Sequence, residues 1–267
     1  MPISPGTHAV YTVRPGDSPY SIANQFGSSL ADLQRSNALY PPVTDPGLIY
    51  PGQKLLVRVP GTSQESVVLH QVTEGDTLFR LGERYSAGVD MLAALNRMEQ
   101  PDILRVAQLV YIPAFVYEVE PGDTLWRIGI RFGASLNELA CANAGRAGFS
   151  PDVPFPGYKL VVPLPSSTNI VVFRPLPGTR VAAGTPLAGR AREFEANLLY
   201  RIRDDAGRIV ARERVVTASE GAPAFGTFSA PLVFDAAPAT PAGKIQVYTR
   251  SPRDGSIQDL VEVPVLF

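Results

Sequence analysis

Three stretches of the chain carry the same order of apolar and polar positions. They open as Tyr11-Thr-Val-Arg-Pro-Gly-Asp17-Ser, His70-Gln-Val-Thr-Glu-Gly-Asp76-Thr and Tyr117-Glu-Val-Glu-Pro-Gly-Asp123-Thr. In each, alternating residues predict a short strand that stops at a Gly-Asp turn. From each Asp an apolar residue follows five positions on (Ile22, Leu81, Ile128) and an aromatic nine on (Phe26, Tyr85, Phe132). Leucine follows sixteen on (Leu33, Leu92, Leu139) and asparagine twenty on (Asn37, Asn96, Asn143). Residues four apart share one helix face, so Ile22 and Phe26 and their counterparts point into a core. Agreement at four landmarks in three copies identifies an internal repeat.

The polar residues between these landmarks predict where helices begin. Ser18, Thr77 and Thr124 stand where a hydroxyl can accept orphan amides of a first helical turn. Pro19 falls at the first helical position, where its missing N–H costs nothing. A second helix is expected from Ser29 and Ser135, the latter in the capping-box pattern Ser135-Leu-Asn-Glu138. Closing strands follow at Leu55–Val57, Val110–Ile112 and Leu160–Val162, the first and third after a Pro-Gly turn. Each unit therefore reads strand–helix–helix–strand.

From Thr168 the pattern changes to period two. Phe194, Ala196, Leu198, Tyr200 and Ile202 alternate with polar or outward positions, and Asp205-Ala-Gly207 turns the chain into Arg208–Val216. Further strands are expected at Ile170–Phe173, Leu187–Arg192, Thr227–Phe234, Lys244–Arg250 and Ile257–Val265, with Asp254-Gly255 as a hairpin turn. Seven short strands argue for an immunoglobulin-like sandwich. The expected architecture is α+β and multi-domain: three βααβ units over 9–60, 67–114 and 115–164, then an all-β domain over 168–267. Pro- and Ser-rich connectors at 60–66 and 163–168 support those limits.

The repeat text resembles the LysM family through Tyr-x-Val-x-Pro-Gly-Asp-[Ser/Thr], the internal asparagine, and closings such as Pro51-Gly-Gln-Lys-Leu-Leu-Val57 and Pro156-Gly-Tyr-Lys-Leu-Val-Val-Pro163. The resemblance implies binding of β-1,4-linked N-acetylglucosamine, in peptidoglycan or chitin, within a groove between the strand–helix and helix–strand loops. Carried onto this chain, the first groove would use Gly16, Asp17, Ser18 and Pro19 opposite Leu48, Ile49 and Tyr50. The second would use Gly75, Asp76, Thr77 and Leu78 opposite Ile103 and Leu104. The third would use Gly122, Asp123, Thr124 and Leu125 opposite Val153, Pro154 and Phe155. The Asp and Ser/Thr positions also have a purely architectural reading, holding a turn and capping a helix. The copies depart from the family text at Pro19, Gly88 and Ala107, and in long loops after Asn37 and Ala144. Several tethered grooves on one polymer would raise avidity.

Val181-Ala-Ala-Gly-Thr-Pro-Leu-Ala-Gly-Arg-Ala-Arg-Glu-Phe-Glu-Ala196, Gly226-Thr-Phe and Ser251-Pro-Arg-Asp-Gly-Ser256 resemble the immunoglobulin-like domain of bacterial spore germination proteins. That likeness implies a spore or envelope setting and supplies no catalytic residues. Arg201 and Arg203 would face Arg208, Arg212 and Arg214 across a ladder. Like charges there are unfavourable, so an anionic partner or nearby Asp204, Asp205 and Glu213 would relieve them.

Charge and composition narrow the function. A net charge of −1 gives no pull toward nucleic acid. No apolar run reaches the length of a membrane helix. The opening Met1–His8 lacks the basic and apolar regions of a secretion signal, so passage to the wall from a sporulating mother cell is one expected route. The two histidines, His8 and His70, lie near first strands, and the single cysteine, Cys141, lies on a predicted helix. None belongs to a zinc-ligand or nucleophile pattern. Trp126, beside the third Gly-Asp-Thr turn, could flank a sugar but is expected in partial core burial or inter-repeat packing. The expectation is a binding protein, not an enzyme, with no cofactor; its partners are peptidoglycan or chito-oligosaccharide. The alternative is a spore-layer scaffold whose repeats and sandwich bind other spore or envelope proteins.

Overall fold

A computed structural model describes residues 2–37, 39, 47–62, 64–152 and 154–267. The chain splits into two compact units, Met1–Gly129 with Ser135–Pro163, and Ile130–Ala134 with Leu164–Phe267.

The first unit holds the repeats apart from Ile130–Ala134. Repeat 1 comprises β1 (Thr7–Thr12), α1 (Pro19–Gln25), α2 (Leu30–Ser36) and β2 (Lys54–Val59). Repeat 2 comprises β3 (Val67–Gln71), α3 (Leu78–Tyr85), α4 (Val89–Leu95) and the first half of β4 (Leu109–Glu118). Repeat 3 takes the second half of β4, then α5 (Leu125–Phe132), α6 (Leu136–Asn143) and β5 (Lys159–Pro163). The βααβ order is present in all three.

The expected caps form. Ser18 accepts from Ser21 N–H in a capping box, with Pro19 in the first turn. Ser29 accepts from Asp32 N–H, Thr77 from Arg80 N–H and Thr124 from Arg127 N–H. Ser135 and Glu138 close a second capping box. Gly88 begins α4 with no side-chain cap.

The strands do not stay within their repeats. They form one sheet in the order β2-β1-β3-β4-β5. β1 lies parallel to β3, with Ala9 opposite Leu69, and this joins repeat 1 to repeat 2. β4 pairs with β3 through Leu109–Pro113 and with β5 through Ala114–Glu118, so one strand serves two repeats. Residues 2–4 also pair with the second half of β4: Ser4 N–H donates to Val116 O at 2.8 Å and Glu118 N–H to Pro2 O at 2.9 Å. The apolar core follows the sheet across the repeats. Val10 and Leu56 from repeat 1 and Ala142 and Val161 from repeat 3 cluster with Leu81, Tyr85 and Leu92 of repeat 2.

Each repeat asparagine pins its second helix to its closing strand. Asn143 Nδ2 donates to Leu139 O and Val161 O, both at 2.8 Å, and its Oδ1 accepts from Val161 N–H at 2.9 Å. Asn37 does the same with Leu33 and Leu56, and Asn96 with Leu92 and Tyr111. Asn37 and Asn143 are fully buried, whereas Asn96 is half-buried.

The second unit contains a three-stranded sheet and a four-stranded sheet. Its strands are β6 (Ile170–Arg174), β7 (Pro186–Ala191), β8 (Asn197–Asp204), β9 (Ile209–Thr217), β10 (Gly226–Pro231), β11 (Ala242–Arg250) and β12 (Ile257–Leu266). The sheets run β10-β7-β6 and β12-β11-β8-β9. Val172, Leu187 and Phe228 of one pack with Leu198, Tyr200, Ile245 and Val263 of the other. This is the all-β sandwich the period-two pattern predicts. The alternation overreached at one end: β8 starts at Asn197, Phe194 is 84% exposed, and Ala196 adopts φ 56°. A left-handed residue turns the chain there and breaks the ladder that Phe194 would have continued.

Candidate functional site: paired loops at the end of each repeat

Two loops leave the same end of each strand pair. β1 ends and β2 begins at the opposed residues Thr12 and Lys54; Gln71 and Leu109, and Glu118 and Lys159, do the same in repeats 2 and 3. The strand–helix and helix–strand loops therefore emerge side by side. Gly52 N–H donates to Val13 O at 2.8 Å, Ala107 N–H to Val72 O at 2.8 Å and Gly157 N–H to Val119 O at 2.7 Å, tying the loop bases together. The donor must turn with positive φ. Gly52 (86°) and Gly157 (83°) do so without a Cβ, whereas Ala107 is held at 72°.

The aspartates hold the first loop. Asp17 Oδ2 accepts from Tyr11 OH at 2.6 Å and from Arg14 N–H at 2.7 Å. Asp123 Oδ2 accepts from Tyr117 OH and from Glu120 N–H. In repeat 2 the strand residue is His70, and Asp76 Oδ2 takes His70 Nε2 at 3.2 Å, Thr73 N–H at 2.7 Å and Thr73 OH at 2.8 Å. His70 Nδ1 faces Tyr85 OH at 2.9 Å, so one tautomer, protonated on Nε2, satisfies both contacts. Burial opposes ionisation of Asp76, but the bonds from His70 and Thr73 outweigh it and hold the carboxyl well below its usual range. Burial lowers the His70 pKa against the pull of Asp76. Burial, reinforced by the bond to Asp17, pushes Tyr11 up to about 12.

These bonds separate the predicted site residues into two sets. Gly16, Gly75 and Gly122 are exposed backbone at φ 88°, 83° and 85°. Asp17, Asp76 and Asp123 turn their carboxylates onto their own loops, and Ser18, Thr77 and Thr124 cap helices. Leu78 and Leu125 correct the sequence expectation, for they are only 3% and 5% exposed. Each lies three residues before a core residue, Leu81 or Ile128, on the same helix face. Pro19 is half-buried. Of the second loop, Leu48, Tyr50, Ile103 and Phe155 are exposed. Ile49 and Leu104 pack on their own repeat cores and Pro154 is buried, so these three supply backbone rather than an apolar rim. Val153 lies outside the described residues.

Tyr20 and Phe79 were missed, and Trp126, expected in partial core burial or inter-repeat packing, is exposed instead. Three positions after each Asp stand Tyr20, Phe79 and Trp126, which are 70%, 63% and 61% exposed beside the first loop. The signal was available: these residues follow the first residue of each helix, about a hundred degrees round from the buried face. The loops also differ. Arg80 Nη1 donates to Gly75 O at 2.7 Å and Arg127 Nη1 to Gly122 O at 3.1 Å. At the equivalent place repeat 1 has Ser21, whose hydroxyl bonds Ser18 instead.

The arginines of the second unit do not make the expected ladder. Tyr200, which faces the core, pairs with Arg214, so Arg214 lies on the opposite face from Arg201 and Arg203 and reaches Asp235 at 2.5 Å. Arg203 is opposite Ile209. Arg201 Nε donates to Gln246 Oε1 at 2.5 Å and its guanidinium lies over the Tyr248 ring. Arg208 N–H donates to Asp204, and Arg212 N–H to Asp235. Irregularities between Tyr200 and Arg203 shift the register that the simple alternation assumed.

Comparison with known proteins bears directly on the repeats. A family model for the LysM domain matches residues 11–58, 70–113 and 117–163, together over half of the chain. The chain belongs to the LysM family. Following the LysM repeats, residues 169–256 match the immunoglobulin-like domain of bacterial spore germination. The chain is similar to the secreted LysM effector ECP6 of Passalora fulva, 30% identical over 41% of this chain and 47% of the relative. It is similar to a probable autolysin, SsaALP, of Staphylococcus aureus, 31% identical over 33% of this chain and 34% of the relative. Among solved structures it is similar to the spore cortex-lytic enzyme SleL of Bacillus cereus, 33% identical over 40% of this chain and 22% of that one, with a TM-score of 0.30. The chain spans less than half the length of these curated relatives.

The LysM match supports binding of a cell-wall- or chitin-type glycan, and the matched modules are binding and immunoglobulin-like rather than catalytic. The same modules associate the chain with the cell envelope or spore. Among the described residues no helix is long and apolar enough to cross a membrane.

Proposed function

We propose that the chain binds N-acetylglucosamine-containing wall polymer without cleaving it, the polymer being peptidoglycan of the spore cortex or envelope. The observation that carries this reading is the pair of loops at one end of every LysM repeat, with exposed glycine backbone beside an exposed aromatic. A neutral acetamido sugar calls for that combination: peptide N–H and C=O groups for its amide, and apolar surface for its methyl group and ring faces. It calls for no charged catalytic pair, and the loop aspartates are engaged within the loops. Gly16–Pro19 with Leu48–Tyr50 form the first groove, Gly75–Thr77 with Ile103 and Leu104 the second, and Gly122–Thr124 with Pro154 and Phe155 the third. The exposed Tyr20, Phe79 and Trp126 extend their rims.

The shared sheet gives the grooves a fixed spacing, so a glycan that engages one meets the next at high local concentration. The same sheet also favours a second reading, a spore-layer scaffold in which the welded repeats bind other proteins. Retention of the full chain on purified peptidoglycan sacculi, with and without chito-oligosaccharide, decides between them. Competition by the oligosaccharide is expected. Retention that depends on wall-associated protein and ignores the oligosaccharide would establish the scaffold instead.

A further inference from the structure

Positive side chains from all three LysM repeats gather where the repeats meet. Lys54 begins β2, at the end of repeat 1 from which both groove loops leave. Its backbone is fixed by residues of repeat 3: Lys54 N–H donates to Gly145 O at 2.8 Å, and Ala147 N–H to Lys54 O at 3.2 Å. Its side chain runs beside Gly145, where an added Cβ would lie 3.9 Å from Lys54 Cδ and 4.0 Å from Nζ. Arg84, from α3 of repeat 2, reaches the same segment and donates through Nη2 to Ala142 O at 3.2 Å and Ala144 O at 2.7 Å. Arg146 lies beneath, fully enclosed, donating to Asn143 Oδ1, Lys159 O and Ser36 O and stacked 5.0 Å from the Tyr158 ring centre.

The cluster has more positive charge than its own acids neutralise. Asp76 is the carboxylate that acts on Lys54, and its Oδ2 is already taken by His70 and Thr73. Among the described residues the buried Nε of Arg84 and that of Arg146 have no hydrogen-bond partner. Burial, then the nearness of Arg84, lowers the pKa of the Lys54 ammonium, with Asp76 pulling the other way. Charged groups held half out of water gain from a counter-ion. Access is open, because Ala144 and Gly145 are exposed and Lys54 and Arg84 are half-exposed.

We propose that Lys54 and Arg84, backed by Arg146, form an anion subsite beside the first groove that takes a carboxylate carried by the bound amino-sugar polymer. This rests on the glycan-binding reading and deepens it, because chitin has no carboxylate whereas muramic acid and its peptide stem do. The subsite selects peptidoglycan over chitin. The carboxylate comes either from the lactyl group of the sugar or from the stem peptide.

Calorimetric titration of the full chain tests this with three probes at low and high salt: chitotetraose, a GlcNAc–MurNAc tetrasaccharide with free lactyl carboxylates, and the same glycan bearing stem peptides. At least one acidic probe should bind about fivefold or more tighter than chitotetraose at low salt, with the advantage lost at high salt. An advantage for the free-lactyl glycan assigns the carboxylate to the sugar; one confined to the peptide-bearing glycan assigns it to the stem. Lys54→Gln should abolish the advantage and leave chitotetraose binding unchanged, and Lys54→Arg should restore it. Chitotetraose binding in each variant reports that the fold is intact. Equal binding of acidic and neutral probes, or an advantage that survives Lys54→Gln, overturns the subsite and leaves the groove reading standing. Binding of none of the probes overturns both.

Discussion

Repeats 1 and 2 meet the same structural demand with exchanged residues. In repeat 1 a strand tyrosine, Tyr11, donates to the turn carboxylate and packs edge-on against Phe26. In repeat 2 the strand residue is His70 and the helix residue is Tyr85, again edge-on, and the imidazole relays between Tyr85 OH and Asp76. Repeat 2 also lacks a side-chain cap on α4, places Ala107 where repeat 1 has Gly52, and leaves its asparagine half-exposed. The lesson is that the frame fixes the bonds a position must make, and more than one residue pair can make them. Repeat 2 makes them with more local strain and a less buried asparagine.

The asparagines give the largest expected difference. Asn143→Ala strands the buried Leu139 and Val161 carbonyls and the Val161 amide, and removes a partner of Arg146, so it should cost about 3 kcal/mol in urea unfolding. Asn37→Ala should cost nearly as much. Asn96→Ala should cost about half that, because water can replace its bonds. Equal losses at all three sites would erase the distinction between the repeats.

The buried histidines come next. Among the described residues, the His8 ring of repeat 1 meets Ser4 Oγ and Gly6 O rather than a carboxylate. Burial, then Lys159, pushes its pKa from 6.5 to about 3. The unfolded chain therefore binds a proton that the folded chain refuses, and stability falls as pH drops from 6.5 toward 3. The loss should reach about 2 kcal/mol by pH 5 and disappear in His8→Phe. A His8→Phe variant with an unchanged acid limb in its pH–stability profile would contradict this.

The rim aromatics should affect binding rather than folding. Tyr20→Ala, Phe79→Ala and Trp126→Ala are each expected to leave the melting temperature within a degree or two while weakening glycan binding about fivefold. A variant that melts early but binds normally would place its ring in packing instead. The smallest effects test the strain in repeat 2. Ala107→Gly should stabilise by about 1 kcal/mol by relieving a left-handed alanine. Gly88→Ser should add a few tenths of a kcal/mol through a helix cap. If neither gains, repeat 2 is no more strained than repeat 1.

Local chemistry explains what was legible in the sequence. The Asp turns, the hydroxyl caps and the Asn landmarks recur at fixed spacing and act within a few residues, so the repeat frame and the βααβ order could be read directly. The burial of Leu78 and Leu125 was also encoded, in their three-residue spacing from Leu81 and Ile128, but the family groove drew them outward. The parallel pairing of β1 with β3 and the enclosure of Arg146 had no comparable signal. Both depend on partners far away in the chain, and a parallel ladder leaves no turn between its strands. Ala196 misled for the opposite reason: the alternation ran unbroken through a residue whose backbone had already turned.

The common strand β4 also sets what can be removed from this protein. Cutting between Pro113 and Ala114 would give each fragment half a ladder and expose fresh amide edges on both. A fragment meant to isolate repeat 2 or repeat 3 must carry all of β4, and with it an unpaired half that invites association between copies. Gene trimming by single repeats is therefore expected to yield aggregates, whereas trimming around residues 2–163 keeps every strand mated.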